Sequence, residues 1–149
     1  MPFEEKMTWV NLVVTIVVPV WYFITMAGRL DATSAADAAW QKPMLIAFGI
    51  TIGLTILGAI AVSIVSAASA QVTGRPTDSI DRKDERDKSI GRRGDVVGFW
   101  VASAGAIGVL VLTMLESAYF WIASALYLTF VLASLASCIV KLVIYRRGF

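Results

Sequence analysis

Four long apolar stretches, almost free of charge, leave this chain few folds to choose from. They fall at about 8–27, 43–69, 95–115 and 119–144. A hydrocarbon core roughly 30 Å thick is crossed by about 20 helical residues. Inside lipid each backbone N–H and C=O must find its partner within the structure, which favours a helix for every stretch. The expected fold is all-α, a transmembrane four-helix bundle of two helical hairpins in a single membrane domain over 1–149. Composition agrees, at 58% hydrophobic and 16% charged, where soluble chains run near 45–50% and 25%.

The start, MPFEEKM, lacks a basic leader, and no small-x-small cleavage site follows the first apolar run. That run reads as a retained span and not as a signal peptide. Asn11 and Thr15 share one helical face, expected to point inward, and Pro19 removes a backbone donor in mid-span and should bend the helix. The connector 28–42 is expected to hold a short interfacial helix with Trp40 at headgroup level, and Pro43 suits the first turn of the second span.

Helices in lipid associate by packing, so small residues mark close approach. Gly49 and Gly53 form a GxxxG pattern, for which packing within the chain is favoured over a dimer contact. Gly94, Gly98, Ala102 and Ala106 recur every four residues in the third span, as do Ala125, Thr129, Ala133 and Ser137 in the fourth. With only Glu116, Ser117 and Ala118 between them, these two spans are expected to form a tight antiparallel hairpin, face to face. Asn11, Thr15, Thr51, Thr55, Ser103 and Thr129 are expected to bond across helices.

The loop 74–94 separates the hairpins and carries the densest charge, DRKDERDKSIGRRGD at 81–95. Thr77 or Asp78 is placed to cap a solvated helix starting near Ser79. Over 75–95 seven bases stand against six acids, so the segment is a poor trap for anionic lipid. Every Lys and Arg except Arg29 and Lys42 falls before the first span, in this loop, or at the C-terminal end. By the excess of basic residues in cytoplasmic loops, both termini are expected to be cytoplasmic. The expected location is the inner membrane of a bacterium, with several passes.

Several chemistries are excluded by what is absent. The chain has no His and one Cys, so imidazole bases, histidine metal sites, internal disulfides and cysteine clusters cannot form. Cys138 reads as a packed thiol. No nucleophile–base pair and no phosphate loop occurs, so neither an enzyme nor a cofactor is expected. A net charge of +2 offers no basic face for nucleic acid.

DERDKSI at 84–90 and the C-terminal stretch 120–149 resemble a group of uncharacterised four-span membrane proteins of actinobacteria and other bacteria. Asp84, Arg86 and Asp87 match an aspartate-x-arginine-aspartate pattern, and Tyr145, Arg146, Arg147 and Gly148 match a Tyr-Arg-Arg-Gly-like end. Such proteins are often encoded beside small helix-turn-helix regulators, so the resemblance implies a regulatory, partner-binding role. The small multidrug-resistance exporters share the span count but keep an acid in the first span, and none occurs at 7–28 here.

The functional expectation is a membrane interaction or regulatory protein that docks a cytoplasmic partner through 75–95, with Asp84, Arg86, Asp87, Arg92 and Arg93 as docking residues. The alternatives are a small dimeric transporter, with Glu116 as its ionisable group, and an accessory subunit of a larger membrane complex. Candidate partners are the lipid bilayer, a cytoplasmic regulatory protein and a second copy of the chain.

Overall fold

A computed structural model describes residues 3–30, 39–73 and 85–147. They form four helices, α1 (Phe3–Leu30), α2 (Gln41–Thr73), α3 (Glu85–Met114) and α4 (Tyr119–Arg147), with no strand among the described residues. Each is long and apolar enough to cross a bilayer, and together they make a four-helix bundle of a membrane protein. Charge sits where helix dipoles favour it. Glu4 and Glu5 lie in the first turn of α1, Glu85 and Asp87 in that of α3, and Arg146 and Arg147 in the last turn of α4.

The helices line up as α2, α1, α4, α3. The α3–α4 interface is the most extensive, followed by α1–α2 and α1–α4. The core therefore lies around α1 and α4. Val14, Val18, Tyr22 and Met26, one every four residues on α1, meet Met44 and Ala47 of α2 and Phe120 and Tyr127 of α4. The Tyr22 and Tyr127 rings stand 5.1 Å apart at 73°, and Phe48 meets Tyr127 at 5.4 Å and 77°. Edge-to-face pairs of this kind add about 0.5–1.5 kcal/mol beyond their buried area. The Tyr22 and Ser124 hydroxyls share a hydrogen bond of 3.2 Å. The outer flanks carry exposed apolar side chains such as Leu45, Ile52, Leu57, Phe99, Ile107 and Met114, which suits contact with lipid.

The α3–α4 register is set by missing side chains. A Cβ at Gly94 would lie 2.6 Å from Lys141 Cγ and Cε and 3.0 Å from the Ser137 carbonyl oxygen. One at Gly98 would lie 3.1 Å from the Ala133 carbonyl oxygen, and one at Gly105 would run into the Thr129 side chain. Ala133 and Thr129 are buried, while Ala102, Ala125 and Ser137 are half-buried. The close face thus runs through Gly105 and not through Ala106, which is exposed. A strict four-residue repeat drifts around a helix of 3.6 residues per turn, and the seven-residue step from Gly98 to Gly105 stays nearly in line.

Three other expectations are corrected. Gly49 and Gly53 have nothing of the described chain within 4 Å of a built Cβ. The buried stripe of α2 runs through Ala47 and Ser66, with Gly58 set against Val10 of α1, and 3.6-residue periodicity puts the GxxxG pair on roughly the opposite side. Thr15 meets the Ser134 hydroxyl of α4 at 3.2 Å as expected, but the hydroxyl protons of Thr51, Ser103 and Thr129 are not given across helices. Each donates to the carbonyl four residues earlier in its own helix, the usual competing partner for such side chains. The third helix starts at Glu85 and runs unbroken through the charged residues into the apolar stretch. Its Ile90 is fully buried, so the charged part is packed on one side and not solvated all round. The expected interfacial helix of the first connector and the cap at Thr77 or Asp78 fall at 31–38 and 74–84, outside the described residues.

Between α3 and α4 the chain turns at Glu116, whose φ is 52°. Glu116 N donates to the Thr113 carbonyl at 3.1 Å and Ser117 N to the Leu112 carbonyl at 3.2 Å. These are the paired bonds of a Schellman C-cap, with Glu where glycine is usual. Glu116 is exposed at the helix end.

Candidate functional site

The start of α1, the first turns of α3 and the last turns of α4 meet at one end of the bundle and gather most of the described charge. Lys141 Nζ donates to Asp95 Oδ1 at 2.8 Å. The aliphatic part of Lys141 covers Gly94, which has no side chain to push it away. Ser137 Oγ stands 3.5 Å from the same carboxylate oxygen, too long for a strong bond. Two turns nearer the start of α3, Asp87 Oδ1 accepts a 3.0 Å hydrogen bond from the Tyr145 hydroxyl. The Arg146 guanidinium lies over the Trp9 ring, 5.4 Å from its centroid, a cation–π contact that ties the end of α4 to α1.

The carboxylates of Asp87 and Asp95 and the Lys141 side chain border an open pocket of about 600 Å³. Glu4, Asp87 and Asp95 supply negative charge, Lys88, Arg92 and Lys141 positive charge, and Val96 and Phe99 an apolar edge. Neighbouring charges of both signs favour a partner of mixed charge and disfavour a ligand of one sign. Among the described residues no group of three or more Cys, Asp or Glu could hold a metal ion.

Of the expected docking residues, Asp87 is half-buried and anchored by Tyr145, Arg92 lines the pocket, and Arg93 is exposed on the same helix. Arg86 lies in the first turn of α3, and Asp84 is outside the described residues. Glu4, Lys88, Asp95, Lys141 and Tyr145 join them at this end of the bundle and are not among the docking residues expected from the sequence. A signal was present, since the four-residue spacing of Asp87, Gly91 and Asp95 puts all three on one face. The two patterns noted at Asp84–Asp87 and Tyr145–Gly148 come together through the Asp87–Tyr145 bond. Compared with protein-family models, curated proteins and solved structures, the chain matches none of them.

Proposed function

We propose that this chain is an interaction protein of the bacterial cytoplasmic membrane that docks a cytoplasmic protein on the charged end of its bundle. Both termini and the segment 75–95 lie on the cytoplasmic side in this reading, as the distribution of Lys and Arg favours. The observation that carries it is the pair of cross-helix anchors. Tyr145 holds Asp87 and Lys141 holds Asp95, so part of the surface is fixed before a partner arrives. A preorganised surface loses less freedom on binding. Alternating charge then gives specificity more than affinity, as suits a regulatory contact.

The test is co-purification in mild detergent with mass spectrometry of the eluate. Replacing Asp87, Arg92 and Arg93 together with Ala is expected to leave membrane insertion intact and to remove a cytoplasmic protein present with the unaltered chain. A triple variant that keeps every partner would end the docking reading. A stoichiometric complex of membrane subunits, unaffected by the triple variant, would favour an accessory subunit. The outward position of Gly49 and Gly53 on α2 makes that the second reading.

A further inference from the structure

Halfway along α1 and α4, away from the charged end, Thr15, Pro19, Phe48, Thr51, Tyr127 and Ser134 surround a cavity of about 130 Å³. None of its lining residues is charged. Tyr127 is 5% exposed, and its buried hydroxyl has no hydrogen-bond partner among the described residues. Thr51 is the side chain that interacts with it, without reaching hydrogen-bond geometry, and the Thr51 proton goes to the Ala47 carbonyl at 2.8 Å. A buried O–H without an acceptor is destabilising, because it has lost its bond to water and gained none in return. Across the cavity, Pro19 has no N–H to give the Thr15 carbonyl one turn earlier, so that oxygen lacks its helical donor. Thr15 and Ser134 meet hydroxyl to hydroxyl at 3.2 Å.

The missing partners define an occupant. It must accept from Tyr127 and be able to donate towards the Thr15 side of the cavity, and one hydroxyl group does both. It must be neutral, because an unpaired charge at this depth is too costly. The walls add a shape. Phe48, Tyr127 and Phe130 present aromatic surface, and a cavity on the order of 150 Å³ is large enough for benzene. Phe48 and Phe130 are also exposed on the bundle's outside, which opens the route from the lipid.

We propose that this cavity is a binding site for a neutral hydroxyl-bearing ring compound, a phenol or an aromatic alcohol, that enters from the bilayer with its hydroxyl towards Tyr127. The site is separate from the docking surface and does not depend on it. Water carries the same donor and acceptor and is the other source of a hydroxyl.

The experiment uses the full chain in phosphatidylcholine nanodiscs, with 4-fluorophenol and 4-fluorotoluene as probes followed by fluorine NMR. Empty nanodiscs give the partition background. The fluorophenol is expected to bind saturably and roughly fivefold or more tightly than the fluorotoluene, the worth of about one net hydrogen bond. Tyr127→Phe keeps the ring and should bring the fluorophenol down to the level of the fluorotoluene. Should that variant fail to insert, Thr51→Val, which removes the neighbouring hydroxyl, is expected to weaken the fluorophenol alone. Equal affinity for the two probes, an unchanged affinity in the variant, or uptake no greater than in empty discs would overturn the proposal. The last outcome would leave the cavity to water.

Discussion

Lys141 and Asp95 are joined across 2.8 Å, from a point near the end of α4 to a point in the third turn of α3. Lys141 keeps 23% of its side chain exposed and Asp95 71%. Much of the pair's attraction is therefore screened, and its aliphatic packing on Gly94 counts beside its charge.

A double-mutant cycle separates the two. Asp95→Ala is expected to cost up to about 1 kcal/mol, as for exposed pairs. Lys141→Ala should cost more because its stem also covers Gly94. Reversible unfolding in mixed detergent would measure both. A coupling energy of zero would show that the charges meet without stabilising the helix pair.

The glycines are expected to behave in opposite ways. Gly105→Ala forces a methyl group into Thr129, a β-branched residue with little rotamer freedom. Overpacking of that kind costs about 1–3 kcal/mol. Gly49→Ala and Gly53→Ala meet open space and replace the residue least suited to a helix interior, so each is expected to be neutral or to gain up to about 1 kcal/mol. Melting temperatures of the three variants in one detergent would test this. A destabilising Gly49→Ala would reveal a neighbour outside the described residues.

At the turn between α3 and α4, Glu116 holds a left-handed backbone that costs an L-residue roughly 1–2 kcal/mol. Glu116→Gly removes that cost while adding freedom to the unfolded chain, and a net gain of about 0.5–1 kcal/mol is expected. Because Glu116 lies exposed in a helix cap, the change should leave the charged end untouched. A less stable variant would mean that the carboxylate makes a contact worth more than the strain.

The four helices were legible because lipid admits few structures, and uninterrupted apolar runs such as 43–69 announce them directly. Their ends were less so. The residues from Glu85 to Gly94 carry enough charge to look like a solvated linker, yet helix geometry continues through them and buries Ile90 against the bundle. Side-chain faces depended on register. Gly94 and Gly98 follow from four-residue spacing, but the same spacing points to Ala106 where Gly105 does the packing, because a strict repeat of four drifts around the helix. The Asp87–Tyr145 bond links residues 58 positions apart, and no local pattern in either helix could have announced it. The orphan Tyr127 hydroxyl was equally hidden, since a tyrosine in an apolar run looks the same with or without a partner.

The order of helices across the bundle has a consequence for how the protein is made. Of the four helices α1 is synthesised before the others, yet the face bearing Val14, Val18 and Tyr22 is completed by α4, the fourth in chain order. The second hairpin can close on itself as soon as it emerges, through Gly94, Gly98 and Gly105. Until α4 has been made, α1 lacks the partner that covers this part of its face.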